Sequence, residues 1–403
     1  MQDIDKISNK RVLLINRFPH WIYCDPNFFL KDVDELHILH SKESNFDFPK
    51  EVYTSTVICD FSNEQQVNEA VEYLYNNHKF NIVINLTERY IELAARIRDK
   101  FSIPGLDICT ATKFRNKLEM KKVVHEAGLS VPQSSSISKT EDISNFINKF
   151  GKSVVKPIDG MGTKTTYVIE KLEDIPPSIL NNSEKLSNFE IEQFISGQMF
   201  QCDSVVVDGE IKLCSISRLL TSTLHFEELG YFATVMIEEG PLRDKIWNFN
   251  KEVIEAFNFK NGVTHHELFL KDDGELVLCE IAARAGGGGT IPSIKYAYGI
   301  NLYEADIRRQ LQKELHFPLT DKKYAGFLII HRKEGIVLDI SSIDDFDFDW
   351  IYYKNINARR GDILTKADSS TASVADFTIT GTSEADVIRK IEMIRKNFKL
   401  ITE

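Results

Sequence analysis

Little in this 403-residue chain points to a membrane, to nucleic acid or to a disulfide scaffold. No run approaches 18 apolar residues, and the opening MQDIDKISNKR has no apolar signal region. Neither a spanning helix nor a secretory leader is therefore expected. Positive charge is in deficit: 49 Lys and Arg against 60 Asp and Glu leave −11. That disfavours a general nucleic-acid or anionic-membrane surface, but not a local basic pocket for a nucleotide. Cysteine is sparse, and Cys24, Cys59, Cys109, Cys202, Cys214 and Cys279 show no CxxC spacing. They read as reduced, mostly buried thiols of a cytoplasmic protein, neither a disulfide framework nor a zinc site. Two nucleotide fingerprints are missing as well. No GxGxxG follows the first strand, and the GxxxxGK[ST] spacing does not occur. Internal repeats and low-complexity segments are absent too.

What is present is an ordinary globular composition, 42% hydrophobic and 27% charged. The chain is too long for one core, so two or three domains are expected. Residues 1–110 alternate strand and helix: RVLLIN, ELHILH, VYTSTVI, a helix over 63–77, NIVINL, then a helix through YIELAARIRDKF. Val67, Ala70, Val71 and Leu74 share one face of the 63–77 helix, and Ser62 with Gln65 reads as its capping box. This alternation implies a parallel doubly wound sheet, whose ligands sit at the carboxyl ends of its strands. Glu88, just past NIVINL, falls there, although a surface loop acid reads equally simply. From 111 the style changes to a helix over 112–128, then antiparallel strands to about 315. Residues 316–403 read as a small α+β domain.

The stretch THHELFLKDDGELVLCEIA poses the central question, because it sets Glu267 and Glu280 in apolar strands. Asp273-Gly274 is a strong two-residue hairpin signal. It would pair Asp272 with Glu275, Phe269 with Leu278 and Glu267 with Glu280. Facing residues have Cβ atoms roughly 4.5–5.5 Å apart, and like charges there repel. Something positive belongs between them, and Mg²⁺ suits paired carboxylates that also meet phosphates. An ordinary hairpin with both acids in solvent remains the alternative.

Other pieces are individually weak. In VVKPIDGMGTKT, Lys156 ends a strand that Pro157 interrupts, and Gly160 and Gly162 free backbone N–H groups for a phosphate nest. A glycine hairpin with a solvated lysine fits as well. Lys117 alone is a helix-surface lysine, and Glu192 with Phe194 alone is a half-buried strand.

Their order carries more than any one of them. Lys117 on a helix is followed by Lys156-Pro157 with its glycine loop, Glu192-Gln193-Phe194-Ile195 before Gly197, and His265-x-Glu267. Glu280-x-x-x-Arg284 with Gly286–Gly289 closes the series. Over roughly 80–315 this resembles the ATP-grasp superfamily of carboxylate–amine ligases, and most of all the bacilysin-type L-amino-acid (dipeptide) ligases. The resemblance implies a multidomain α/β and α+β fold: an N-terminal domain over 1–110, an ATP-grasp domain over 111–315 with lobes about 111–195 and 196–315, and a C-terminal domain over 316–403. It implies ATP with Mg²⁺, for which Mn²⁺ substitutes, small amino-acid substrates, no nucleic acid or membrane partner, and is compatible with a homodimer. Lys117, Lys156, Gly160, Gly162 and Thr163 would meet the phosphates, and Glu192, Gln193, Phe194 and Ile195 the adenine. Glu267 and Glu280 would hold Mg²⁺, with Arg284 at the transferring phosphoryl. Glu88 would take a substrate ammonium, and Gly287 and Gly288, before a helix that Thr290 caps, a substrate carboxylate. His265 is open between a substrate role and packing. Two positions depart from the family pattern: Ala282 stands where an Asn is usual, and Met199 where a ribose-gripping acid is usual, with Asp203 as a possible substitute. The rival readings are a biotin- or purine-carboxylase-like enzyme and a catalytically silent ATP-binding regulator.

Overall fold

The computed structural model describes residues 9–18, 31–46, 50–222, 224, 229–318, 323–367, 369 and 372–403. Cys24 lies outside them; Cys59, Cys109, Cys202, Cys214 and Cys279 are free thiols. Among the described residues no helix is long and apolar enough to cross a membrane.

The N-terminal sheet is wholly parallel, in the order Ser55–Cys59, Glu35–Ser41, Arg11–Asn16, Ile82–Asn85. Its inner strands are near-continuous apolar runs because both faces are covered. The helices Glu64–His78 and Ile91–Phe101 cover one face, through Val67, Val71, Leu74, Ala94 and Ile97. The other face packs on Ile307 and Leu311, which arrive from far along the chain with the helix Leu302–Gln310. That face of the N-terminal sheet is therefore closed by a helix from much later in the chain. Buried Arg98 reinforces that joint, donating from Nη2 to the Val83 carbonyl at 2.7 Å and to Gln310 Oε1 at 3.3 Å. The cap of the first helix lies one residue beyond the expected Ser62: Asn63 accepts from the Gln66 N–H.

The helix expected over 112–128 is two helices, Ile108–Arg115 and Lys117–Glu126. Asn116 breaks it. Its backbone is extended, and its side chain accepts from the N–H groups of Leu118 and Glu119, which caps the second helix. The break makes Lys117 a buried first-turn residue instead of a solvated mid-helix one.

Two antiparallel layers follow. The first lobe has four strands, ordered Ser134–Ser136, Phe189–Gln193, Ser153–Pro157, Tyr167–Ile169. The second is an eight-stranded sheet that begins Leu276–Ala282, Gly262–Leu270, Gln198–Val207, Glu210–Leu219, Tyr231–Met236. It continues through Tyr324–His331, Ser373–Gly381 and Ile351–Ile356. Strands on either side of residue 316 thus share one sheet, the seam being Tyr231–Met236 against Tyr324–His331. A separate three-stranded sheet, Gly335–Ile340 between Ile363–Leu364 and Leu400–Thr402, completes the C-terminal segment.

Candidate active site

The two-residue turn expected at Asp273-Gly274 does not form. Lys271 pairs with Glu275 (N to O, 2.9 Å), and Gly274, at φ 87°, donates to the Lys271 carbonyl. The loop is therefore three residues long. An odd loop alone would throw the two acids onto opposite faces. A bulge corrects it: Leu268 faces Leu278, but Glu267 faces Glu280, so Cys279 is the extra residue. The facing pair of carboxylates is present, reached by a different route from the one expected.

Each acid has its own cation. Lys117 Nζ lies 3.3 Å from Glu280 Oε2 and donates to the Gly160 carbonyl at 2.8 Å. His265 sits with Nδ1 2.9 Å from Asp203 Oδ1 and Nε2 3.5 Å from Glu267 Oε1. Burial pushes the Glu280 carboxyl up, but Lys117, Lys156 and Arg284 outweigh it and hold it down at about 2. Burial pushes His265 down, and Asp203 with Glu267 outweighs that, raising it to about 10. At neutral pH Glu280 is thus a carboxylate and His265 an imidazolium.

Beside them lies a buried ion network. Lys156 Nζ is 2.6 Å from Glu192 Oε1. Lys121 Nζ is 2.5 Å from Glu190 Oε1 and 2.8 Å from Glu192 Oε2. Burial opposes ionisation of Glu192, yet the two lysines bring its carboxyl below the ordinary value. Lys121 and Glu190 escaped the sequence reading, although their spacing was informative. Lys117 and Lys121 stand four apart on one helix face, and Glu190 and Glu192 two apart on one strand face.

One cavity of about 380 Å³ between the lobes brings together Lys117, Lys156, Gly160, Gly162, Thr163, Glu192, Gln193, Phe194, Ile195, Glu267 and Glu280. The glycine loop is conformationally unusual beyond its glycines: Thr163 and Thr165 adopt φ of 59° and 56°, a region costly for β-branched residues. The remaining expected residues lie outside that lining. Glu88 is not a free acid: it is buried, with Oε2 3.0 Å from Arg284 Nε and Oε1 3.2 Å from Arg115 Nη1. Gly287 and Gly288 are exposed at the start of the helix Thr290–Tyr298. The residue at the N-cap is Gly289, not Thr290, whose hydroxyl meets Gln201 Nε2 at 3.2 Å. Gly286 is required by its neighbours, since a Cβ there would lie 2.6 Å from Asp203 Oδ1 and 2.8 Å from His265 Nδ1. Asp203 does not stand in for a ribose acid: it is buried and committed to His265 and Gln201. Met199 lines the cavity as an apolar wall, packed with Leu219 and Phe269.

The donor set fits a nucleoside triphosphate with a hard divalent cation. Two buried lysines and a turn with two glycines suit anionic oxygens, and two paired carboxylates suit Mg²⁺. The side chains of Glu267 and Glu280 keep 18% and 26% exposure toward the cavity, so their oxygens are reachable.

Comparison with known proteins finds similar chains and a similar fold. The ATP-grasp domain family matches residues 151–293, so this segment is an ATP-grasp domain. The chain is 26% identical to the L-arginine-specific L-amino acid ligase of Bacillus subtilis over 330 residues, 80% of each chain. It is 21% identical to the alanine–anticapsin ligase of Bacillus subtilis, across 92% of this chain and 87% of that one. Among solved structures, the L-amino acid ligase of Bacillus licheniformis superposes with a TM-score of 0.78 at 18% identity, covering 98% of this chain and all of that one.

Proposed function

We propose that this ATP-grasp protein is an ATP- and Mg²⁺-dependent carboxylate–amine ligase that joins amino acids through an amide bond, releasing ADP and phosphate. The observation that carries the reading is the meeting, in one cavity, of Lys117 and Lys156, the glycine loop and the Glu267–Glu280 pair. The named ligase activities of the relatives, over four-fifths or more of both chains, support the same reading.

The chemistry follows from charge. A carboxylate is a poor electrophile, and phosphorylation converts one of its oxygens into a leaving group. Bound Mg²⁺ would supply Lewis-acid neutralisation of the phosphoryl oxygens. Glu267 and Glu280 are the residues to hold it, and Mn²⁺ would be accepted by the same oxygens. Lys117 and Lys156 would orient the phosphates, and the backbone of Glu192–Ile195 would meet the base. Arg284 would leave Glu88 to stabilise charge on the transferring group. His265 is better placed as a positioning residue for Glu267 than as a substrate contact, since its ring bridges Asp203 and Glu267. Glu88, with both oxygens on arginines, would position Arg284 and reach a substrate ammonium only once Arg284 moves away.

The test is phosphate release from ATP and Mg²⁺ with pooled amino acids. Amino-acid-dependent ADP with a dipeptide product is expected. Turnover that needs bicarbonate instead would overturn the ligase reading in favour of a carboxylase. Tight ATP binding with no turnover would leave a regulator.

A further inference from the structure

A second ligand cluster lies on the opposite rim of the N-terminal sheet from Glu88. Glu35 opens the strand Glu35–Ser41, and His78 ends the helix Glu64–His78. Glu88 instead follows the carboxyl end of Ile82–Asn85. His37 lies two residues after Glu35, on the same strand face. Glu35 Oε2 is 3.1 Å from His37 Nε2 and 3.8 Å from His78 Nδ1. The two imidazole centroids are 4.2 Å apart. Ligand atoms of all three residues lie within 4.8 Å of one another.

We propose that Glu35, His37 and His78 form a site for a borderline divalent cation of the Zn²⁺ class, separate from the nucleotide cavity, which ties the end of the helix to the sheet. A tetrahedral ion about 2.0–2.2 Å from each ligand atom sets those atoms about 3.4 Å apart. The distances from Glu35 Oε2 to the two imidazoles, 3.1 and 3.8 Å, bracket that spacing. His37 is buried, and its other nitrogen lies 2.8 Å from Ser55 Oγ on the next strand, which fixes the ring. Glu35 and His78 keep 35% and 23% side-chain exposure, so they can make the small remaining adjustment and leave a fourth position to water. The helix carboxyl end adds a partial negative charge. Arg11, opposite Glu35 in the sheet, is held on the Lys79 carbonyl at 2.8 Å. Two imidazoles and one carboxylate favour Zn²⁺, Co²⁺ or Ni²⁺ over Mg²⁺. That preference distinguishes this cluster from the oxygen-only pair Glu267 and Glu280. The sequence hid it, since two of the ligands share a strand and the third lies far along the chain with no metal-motif spacing.

The experiment titrates metal-free, full-length protein with Zn²⁺ and, separately, Co²⁺, without nucleotide and with excess Mg²⁺ present. One Zn²⁺ equivalent and the visible bands of tetrahedral Co²⁺ are expected. His78→Ala and Glu35→Gln should each weaken Zn²⁺ binding by about tenfold or more, and leave the affinity for a non-hydrolysable ATP·Mg analogue unchanged. Both altered residues are partly exposed, and either variant suffices if the other fails to fold. No Zn²⁺ binding in excess Mg²⁺, or Zn²⁺ binding that both variants retain at parental affinity, overturns the proposal. The latter result would place the ion elsewhere.

Discussion

Replacing Glu280 by Gln separates two accounts of the hairpin. Taken alone, two facing carboxylates repel, and removing one should leave the nucleotide-free protein as stable as the parent, or more so. The structure reverses that expectation, because Lys117, Lys156 and Arg284 all act on Glu280. Its carboxyl falls from the ordinary 4.5 to about 2. At ~1.4 kcal/mol per pH unit this amounts to about 3 kcal/mol as a ceiling. A side chain with 26% exposure is partly screened, so about 1–2 kcal/mol is the expected loss. The sign is that of a depressed acid. The contribution is complete above pH 4.5 and disappears as pH falls through about 2, so at pH 7 it is fully present.

Glu280→Gln should therefore melt a few degrees below the parent without ligand, at roughly 2–4 °C per kcal/mol for units of this size. It should also lose most of the stabilisation that ATP·Mg gives the parent, about 2.7 kcal/mol at a hundredfold excess over Kd, together with amino-acid-dependent ADP release. Four thermal melts, parent and variant with and without ATP·Mg, read both effects. A variant that melts at or above the parent without ligand would refute the ion-pair account. One that gains as much from ATP·Mg as the parent would refute the metal assignment of the hairpin.

Lys156→Ala should weaken a non-hydrolysable ATP analogue by calorimetry and also lower stability without ligand, because it leaves Glu192 buried with Lys121 alone; unchanged affinity removes Lys156 from the site. His265, raised from 6.5 to about 10, contributes stability that is complete below pH 6.5 and is lost as pH rises through about 10. Melts from pH 6 to 10 should fall more steeply for the parent than for His265→Gln, and parallel curves would contradict the Asp203–His265–Glu267 bridge. Glu88→Gln should depress turnover and raise amino-acid KM while leaving ATP-analogue affinity near parental, since it frees Arg284 and Arg115 from their shared counterion; parental constants for both amino acids would remove Glu88 from the substrate site.

What was legible in the sequence followed periodicity and order. The parallel sheet showed in runs such as VLLI and IVIN, which only a doubly covered strand tolerates. The cavity residues were legible because their order along the chain was specific even where each alone was not. What was missed depends on local chemistry that competes with periodicity. Asn116 divides a helix whose apolar spacing runs on without a break. The Asp-Gly turn was read as two residues, when the actual loop needs a compensating bulge that leaves no mark in the hydrophobic pattern. Tertiary closure was harder still. Nothing in residues 302–311 announces that Ile307 and Leu311 cover a sheet formed by the first 85 residues. Nor does a strand at 324–331 announce that it continues a sheet begun at 198. Glu88 was placed correctly at a strand's carboxyl end, but its two arginine partners come from distant elements.

Those partners point to a consequence for binding. The buried cations in and beside the cavity already have acidic partners: Lys117 has Glu280, Lys156 has Glu192, Arg284 has Glu88, and His265 has Asp203 and Glu267. A bare triphosphate can gain the lysines only by taking them from Glu280 and Glu192. That would strip Glu280 of its nearest cation and leave Glu192 with Lys121 alone, and a half-buried carboxylate that loses its partner is costly. A triphosphate arriving with Mg²⁺ exchanges pairs instead: its oxygens take the lysines while the cation takes Glu280, and Glu192 keeps Lys121. The parent should therefore bind a non-hydrolysable analogue much more weakly in EDTA than in Mg²⁺. In the double variant Glu267→Gln, Glu280→Gln that Mg²⁺ dependence should shrink, because no carboxylate of the hairpin is left to be stranded. Calorimetry on the two proteins in the two buffers measures the coupling directly. If the parent binds the metal-free analogue as tightly as its Mg²⁺ complex, the lysines are not restrained by these acids, and the pair-exchange account fails while the fold assignment stands.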